Sequence, residues 1–377
     1  MCISGRARAG IDEGQAVRVA VLGGTGRVGS YLCPRLAAIE RIHVISVSRG
    51  THEPYPTSAA SVSAPDAAWS SGAIERVTLD RADQAEFNAG VAALNAHIIV
   101  DLCCFDLAVL RALTTALLAA PTTPAHIVTT STIWALGAND GKAPTEESGA
   151  HGSDPLGYHG KAKRAMAKFL TEEIDAPWAS TVLHLGHLCG RGWVPLNPLG
   201  NFNLSVFLAL RDGAPVALPN DGAASLHHGH ADDAAGAVLA ALAAPERAGG
   251  EAFSCVAAEA ITMRNFAAAI ATRTWGDAAA TPANLSSLPC PSAEFTASVG
   301  SESVAEITLE HVRHTSNCST AKLAQRLSFT PKWTILNAVA ESLRFLEVAG
   351  KLNADGTGAY VPTASSTKRE QMRAVPK

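Results

Sequence analysis

The chain has 377 residues, of which 47% are hydrophobic, so it is long enough to bury one large core or two smaller ones. Thirty lysines and arginines against thirty-four aspartates and glutamates give a net charge of −4, which argues against a nucleic-acid-binding protein. The sequence contains neither an apolar run of about 18 residues nor an apolar segment after Met1, so we expect no membrane span and no secretory signal. Eight cysteines without a C-x-x-C pair indicate free thiols and a reducing, cytoplasmic location.

From Val17 onwards, short β-branched runs alternate with longer segments rich in alanine and leucine. This alternation predicts a parallel sheet with helices on both faces, that is, a Rossmann-type doubly wound α/β fold. We predict strands at 17–22, 42–48, 77–79, 97–102, 126–131, 180–184 and 252–256. We predict helices at 28–39, 84–94, 107–119, 231–243 and 335–348, and a further long helix that begins near 157.

The composition changes after residue 184, where Gly, Pro, Asn and Trp become frequent. We therefore predict a dinucleotide-binding Rossmann domain (16–184 with about 225–256) and a smaller C-terminal substrate-binding lobe (about 185–224 with 257–350). Residues 1–15 are predicted to form a flexible arm and residues 351–377 a disordered tail, because the tail is polar and rich in Gly, Ser and Thr.

The most specific motif is the segment VAVLGGTGRVGSYL, residues 19–32, in which an apolar strand leads through a glycine-rich turn into a helix. Its glycines permit a tight turn and a close approach of the backbone to a pyrophosphate, while the helix N-terminus supplies N–H donors. The segment therefore predicts a dinucleotide site with contacts from Gly23, Thr25, Gly26, Arg27, Val28 and Gly29.

The end of the second predicted strand indicates which dinucleotide binds. A cofactor with a free 2′-hydroxyl usually meets Asp or Glu at this point, but the chain has Ser48 and Arg49. Because arginine pairs well with a 2′-phosphate, we favour NADP over NAD; the alternative is a solvated Arg49 in a turn.

The Gly-x-x-Gly-x-x-Gly spacing and several later segments resemble the extended short-chain dehydrogenase/reductase family of NAD-dependent epimerases and dehydratases, over about residues 17–350. The resemblance implies further cofactor contacts after the third and fourth strands, at Asp80, Arg81, Leu102 and Cys103. It also implies that Thr132, five residues before Gly137, carries the catalytic hydroxyl. Ile133 and Trp134 replace the Asp and Glu that follow this threonine in sugar-nucleotide 4,6-dehydratases.

In this family a tyrosine acts as acid/base, and a lysine four residues later lowers its pKa and holds the nicotinamide ribose. Here Tyr158 and Lys161 are three residues apart, which still permits one helix face. The resemblance thus implies Tyr158 and Lys161 as the pair. If Lys161 instead keeps the family's lysine position, Gly157 stands where the tyrosine belongs. Both residues could also belong simply to an exposed helix surface.

For the substrate lobe, the resemblance implies that His187 contacts the substrate, and we expect it to serve as a second acid/base. The substrate contacts that we expect are Trp134, Trp193, Asn197, Asn201 and His228. We expect no metal at the histidines near 228. Leu226 stands where related enzymes often carry an arginine that grips a diphosphate, which favours a small-molecule substrate without one.

Three functions remain open from the sequence. The first is an NAD(P)-dependent epimerase or dehydratase that acts on a sugar-like or nucleoside-like polyol through a transient ketone and recycles its cofactor in place. The second is an NADP-dependent reductase or dehydrogenase with net hydride transfer. The third is a non-catalytic dinucleotide- or RNA-associated protein. The resemblance also implies a homodimer, paired through the helices at 107–119 and 157–173.

Overall fold

The computed structural model describes residues 15–57, 65–139, 144–147, 154–276 and 284–352. The predicted flexible arm and disordered tail therefore lie, apart from residues 15 and 351–352, outside the described residues. The described strands are β1 Val17–Leu22, β2 Ile42–Ser48, β3 Ile74–Thr78, β4 Ile98–Asp101, β5 His126–Thr132, β6 Ala179–Leu185, β7 His187–Cys189, β8 Val216–Pro219, β9 Ser225–Leu226, β10 His228–His230, β11 Glu251–Cys255, β12 Ile261–Thr262 and β13 Leu285–Leu288.

The described helices are α1 Arg27–Ala37, α2 Gln84–Ala93, α3 Leu107–Leu118, α4 Gly157–Lys168, α5 Ser205–Arg211, α6 Ala231–Ala243, α7 Pro245–Ala248, α8 Met263–Trp275, α9 Ala293–Val299, α10 Glu302–Arg313, α11 Ala321–Leu327 and α12 Ile335–Val348. A wider helical turn, Phe169–Glu173, continues α4. The predicted elements of the first half differ from these by a few residues at their ends.

Seven strands form one parallel sheet in the order β11-β6-β5-β4-β1-β2-β3. The fold is thus the predicted Rossmann-type doubly wound sheet. Its strand order reverses between β1 and β4, and ligands bind outside the carboxyl ends of the strands at such a switch point. The topology therefore places a binding crevice where β1, β2, β4 and β5 end.

Apolar side chains cover both faces of this sheet. On one face α1 and α6 pack over β1 and β4 around Val19, Val21 and Val100. On the other face α2 and α3 pack around Ala20 and Ile99. Because consecutive residues of a strand point to opposite faces, near-continuous apolar runs such as that of β1 are what a sheet covered on both sides requires.

A second apolar cluster lies outside the sheet and is built from α5, α8, α9 and α12 with the short strand β8. Phe207, Phe266 and Phe295 are fully buried within it. The loop after β7 belongs to this part of the chain and borders the crevice through Trp193. Within the described residues, none of the helices combines the length and apolarity needed to cross a membrane.

Candidate active site

A cavity of about 760 Å³ lies at the carboxyl ends of β1, β2, β4 and β5. The predicted cofactor contacts line it, with the exception of Lys161: Gly23, Thr25, Gly26, Arg27, Val28, Gly29, Ser48, Arg49, Asp80, Arg81, Leu102 and Cys103. Thr132 and Trp193 line it as well. The cavity thus joins the glycine-rich turn to the segment that carries the expected catalytic hydroxyl.

The turn after β1 has the shape that a pyrophosphate needs. Gly23 has φ of 86°, a left-handed conformation that favours glycine. A Cβ on Gly29 would lie 2.2 Å from the carbonyl oxygen of Gly24, so this position also excludes a side chain. Gly26 precedes α1 without a side-chain cap, whereas Asp106 caps the N-terminus of α3. Without a side-chain cap, the first N–H groups of α1 fit the phosphates of a dinucleotide.

The residues that follow β2 and β3 also line the cavity. Ser48 and Arg49 border it, and Arg49 is exposed. Arg81 forms a 2.7 Å ion pair with the buried Asp101, and its Nε and Nη1 atoms are buried without a hydrogen-bond partner among the described residues. Burial opposes the charged form of Arg81, but the charge and hydrogen bond of Asp101, together with Cys103 and Cys104, raise the pKa of Arg81. Such unpaired donors fit a cofactor that accepts hydrogen bonds.

Two hydroxyl side chains at the end of β5 line the middle of the cavity. The Oγ1 atom of Thr132 accepts a 3.3 Å hydrogen bond from the Trp134 backbone N–H, which fixes the side chain. Ser131 is buried, and its Oγ atom has no hydrogen-bond partner among the described residues. An unpaired buried hydroxyl costs free energy, so Ser131 is suited to bond a ligand that enters the cavity.

Helix α4 brings His159 and Lys163 to the cavity, four residues apart. Tyr158 and Lys161 are not part of the lining: Tyr158 is 80% exposed, and Lys161 also faces solvent. The structure therefore does not place the expected Tyr158–Lys161 pair at the cavity. The physical reason is the rotation of α4, because successive residues of a helix are displaced by about 100° around its axis.

The rotation of α4 is fixed by a close backbone contact. A Cβ on Gly160 would lie 2.6 Å from the Trp134 carbonyl oxygen, so only a glycine permits this approach. Lys163 is 3% exposed, and its ammonium group donates to the carbonyl oxygens of Cys104 at 2.6 Å and Thr130 at 2.9 Å. Burial lowers the pKa of Lys163. Its Nζ atom also lies 4.5 Å from the centroid of the Phe105 ring.

Two of the expected substrate contacts serve the loop itself instead. Asn197 and Asn201 are completely buried and do not line the cavity. The Asn197 amide donates to the Asn201 side-chain oxygen at 2.6 Å, and the Asn201 amide donates to the Thr308 hydroxyl at 3.0 Å. Their polar groups are thus satisfied within the fold, where they hold the loop that presents Trp193.

The remaining expected residues form an aromatic cluster beside the cavity. The His187 ring lies 4.8 Å from that of His311, 5.7 Å from that of His228 and 6.4 Å from that of Trp134. Gly186 and Leu188 line the cavity, but His187 does not, because alternate residues of a strand point to opposite sides. Burial, with smaller effects of the neighbouring imidazoles, holds the pKa of His187 well below its usual value. His187, which we expected at the substrate, thus lies beside the cavity and not in its lining.

Sequence reasoning missed His159, Lys163 and Ser131. A usable signal was present for the first two, since His159 and Lys163 have the four-residue spacing that Tyr158 and Lys161 lack. Nothing in the sequence distinguishes Ser131 from its neighbours in the Thr-Thr-Ser-Thr run.

Comparisons with known proteins agree with this geometry. Residues 19–255 match the family described as the NAD dependent epimerase/dehydratase family. A curated relative, 2'-dehydrokanamycin reductase of Streptomyces kanamyceticus, is 32% identical over 243 residues, which cover 63% of this chain and 61% of that protein. The chain thus spans less than two thirds of that relative's length.

Two solved structures are similar in fold. UDP-glucose 4-epimerase from Thermotoga maritima, solved with UDP-glucose, has a TM-score of 0.62 at 16% identity over 88% of this chain and 99% of that one. UDP-glucuronic acid 4-epimerase from Bacillus cereus, solved with NAD, has a TM-score of 0.63 at 13% identity over the same shares.

The family match covers most of the sheet and the whole glycine-rich turn. Nicotinamide dinucleotides, NAD or NADP, are the cofactors that this family and the shape of the turn imply. The chain belongs to the NAD-dependent epimerase/dehydratase family and is an enzyme of the extended short-chain dehydrogenase/reductase type.

Proposed function

We propose that the protein is an NADP-dependent reductase or dehydrogenase that interconverts a secondary alcohol and a ketone on a sugar-like or nucleoside-like polyol. The observation that carries this proposal is the single cavity that joins the glycine-rich turn to the Thr132 hydroxyl and to the buried ammonium of Lys163. A hydroxyl donor and a fixed positive charge beside a dinucleotide site are what alcohol–ketone chemistry requires.

Each residue has a role that follows from its position. The bound cofactor supplies the hydride acceptor or donor. Thr132 orients the substrate oxygen through a hydrogen bond, since its side chain is fixed at the end of β5. Lys163 holds a ribose hydroxyl of the cofactor and contributes a positive charge at the reacting end. Trp193 covers the cavity from the substrate lobe and limits the access of water.

Net hydride transfer is favoured by the side chains that the described residues bring to the cavity. Elimination, or epimerisation of the carbon beside the ketone, needs a second acid/base, and His187 points away into the aromatic cluster. Within the described residues, α4 and β5 contribute two side chains with a titratable nitrogen to the cavity wall, His159 and Lys163. The curated relative at 32% identity is itself named as a reductase.

The second candidate is the epimerase or dehydratase with a cofactor recycled in place. The family match and the two 4-epimerase structures support it. Inversion of the oxidised carbon itself needs only one acid/base, so this reaction is compatible with the cavity.

The preference for NADP rests on the residues after β2. Ser48, Arg49, Thr51 and His52 line this end of the cavity, and none of them is acidic. A carboxylate would select a free 2′-hydroxyl, whereas Arg49 suits a 2′-phosphate.

A substrate without a diphosphate is supported by where the arginines lie. Leu226 is buried in the apolar cluster of the second lobe. Arg191 pairs with Glu341, Arg264 with Asp221 and Arg313 with Glu310, and none of these three arginines lines the cavity. The described part of the cavity therefore offers arginines only at the cofactor end.

We also propose a homodimer in a reducing, cytoplasmic compartment. The seven cysteines among the described residues are free. Helices α3 and α4 pack side by side, and α3 leaves Leu118 46% exposed at its end. Pairing of these two helices with a second copy would cover that side chain; light scattering that returns only the 38.9 kDa monomer mass would refute the dimer.

The experiment that tests the function uses three probes. 2′-Dehydrokanamycin is supplied with NADPH and, separately, with NADH, and UDP-glucose and UDP-glucuronic acid are each supplied with NAD and with NADP. Consumption of NADPH in a one-to-one ratio with the ketone supports the proposed reductase. Formation of an epimer without net change of cofactor supports the second candidate and refutes net hydride transfer. NADH oxidation faster than NADPH oxidation would refute the NADP preference.

A further inference from the structure

We infer that His159 is the acid/base that exchanges the proton of the substrate oxygen, in place of a phenol. This inference rests on the proposed alcohol–ketone chemistry and names the residue that performs its proton transfer. In the oxidative direction the hydride leaves the carbinol carbon for the nicotinamide, and the hydroxyl proton passes to the neutral imidazole as the C=O bond forms. In the reductive direction the imidazolium returns that proton to the oxygen.

Geometry supports His159 in three ways. It lines the cavity together with Thr132, and Lys163 lies one helical turn further along the same face of α4. Its ring is solvent-exposed and lies 5.9 Å from the ring of Phe105, a residue of the loop after β4 that is itself 59% exposed, so His159 stands at the rim of the cavity. The neighbouring Tyr158 points to solvent and cannot reach the same space without a rotation of the helix.

The other titratable groups around this end of the cavity are less suited. Lys163 already donates to two carbonyl oxygens. Burial, with a smaller effect of Asp101, raises the pKa of the Cys103 thiol to about 12. His52 belongs to the segment after β2, and β2 is separated from β5 by two strands of the sheet. Among the described residues, His159 is thus the group at this end that can change its charge near neutral pH.

The charge around His159 sets the direction of its pH dependence. Burial, with a smaller effect of the Lys163 ammonium on the same helix, lowers the pKa of His159 below 6.5. From the other elements, the cavity wall presents the Phe105 ring and the hydroxyls of Ser131 and Thr132. Arg81, which follows β3, lines the same cavity and pairs its charge with Asp101 at the end of β4. His159 is therefore a neutral base at pH 7, ready for oxidation, whereas reduction requires its imidazolium form.

The first measurement follows cofactor binding alone and needs no substrate. The affinities for NADP⁺ and NADPH are measured by fluorescence from about pH 5 to about pH 8 for the wild type and His159→Gln. An imidazolium repels the positive nicotinamide ring, so the wild-type ratio of NADP⁺ to NADPH affinity should fall with decreasing pH. This ratio should change about tenfold for each unit by which the positive ring lowers the His159 pKa. The ratio of the His159→Gln variant should not depend on pH.

The second measurement is the pH profile of kcat/KM for reduction of 2′-dehydrokanamycin with NADPH. The wild-type rate should fall about tenfold per pH unit above the His159 pKa, and His159→Gln should lose about a hundredfold to ten-thousandfold in kcat. His159→Tyr should be more active than His159→Gln, and its kcat/KM should begin to fall at a higher pH than that of the wild type, because a phenol ordinarily titrates near pH 10. Tyr158→Phe, one residue away and exposed, is the matched control and should behave as the wild type.

The outcomes separate the two proposals. Three results would each overturn the role of His159, even if the ketone is reduced. They are a wild-type ratio of NADP⁺ to NADPH affinity that does not change with pH, full activity of His159→Gln, and a kcat/KM profile of His159→Tyr that breaks at the same pH as that of the wild type. A pH-dependent ratio without turnover of any of the three probes would refute the proposed function while leaving His159 at the reacting end of the cofactor.

Discussion

The guanidinium carbon of Arg27 lies 4.3 Å from the centroid of the Trp193 ring. Arg27 is the first residue of α1, and Trp193 comes from the loop after β7. Both residues line the cavity, so this contact connects the glycine-rich turn to the loop after β7. The Trp193 ring therefore lies over a residue of the turn that we expect to hold the cofactor.

Loss of the Trp193 ring should therefore weaken cofactor binding. A cation–π contact contributes about 0.5–2 kcal/mol, so Trp193→Ala should raise the Kd for NADPH roughly 2- to 30-fold. Trp193→Phe keeps a ring and should lose less affinity for NADPH than Trp193→Ala. Isothermal titration of the two variants checks the order, and equal affinities of the wild type and Trp193→Ala would show that the stacking does not hold the loop.

Arg49→Ala should separate the two dinucleotides. Arg49 is exposed at the cavity edge, so its removal should not disturb the fold. A charged hydrogen bond to a 2′-phosphate contributes about 1.5–3 kcal/mol, so the Kd for NADPH should rise about 10- to 160-fold. The Kd for NADH serves as the internal control and should not change. Tighter binding of NADH by the wild type, unaltered in the variant, would contradict the assignment.

Lys163→Met and Lys161→Met form a matched pair on one helix. Lys163 is buried and bonded to two carbonyl oxygens, whereas Lys161 is exposed. Lys163→Met should reduce kcat/KM by about a hundredfold or more and lower the unfolding midpoint, because both carbonyl groups lose a partner. Lys161→Met should match the wild type in both measurements. A larger loss in Lys161→Met would restore Lys161 as the functional lysine.

Stability should fall in mild acid because of buried histidines, of which His126 is the clearest. The Thr181 hydroxyl donates to the Ala248 carbonyl oxygen and accepts from Nε2 of His126, so the bare Nδ1 atom has no partner among the described residues. Burial lowers the pKa of His126 to about 4, while an unfolded histidine titrates near 6.5. The unfolded chain thus binds more protons between these values, and stability decreases as pH falls through this window.

The size of this effect can be measured by urea unfolding at about pH 7.5 and about pH 5. His126 alone should lower the free energy of unfolding by about 2 kcal/mol at the lower pH. His126→Gln keeps a donor for Thr181 but cannot be protonated, so its loss of stability on acidification should be smaller by that amount. The same pH dependence in both proteins would show that His126 is not buried as described.

The sequence by itself determined the sheet and the cofactor turn, because both depend on local patterns. Apolar runs such as Val17–Leu22 alternate with helical segments at a spacing that only a parallel sheet accommodates. The glycines between β1 and α1 are required by backbone geometry within a few residues. Arg49 and Asp80 could be placed at the cavity for the same reason, since each follows directly on the end of a strand.

The tertiary structure decided which side chains face the cavity. Tyr158 and His159 are neighbours in the sequence and both are exposed, but with Gly160 packed on the Trp134 backbone it is His159 of the two that lines the cavity. The strand β7 turns His187 away by the alternation of its side chains, and Asn197 finds its partners inside its own loop. A helix turns by about 100° and a strand by about 180° per residue, so only packing against distant segments fixes what each residue faces.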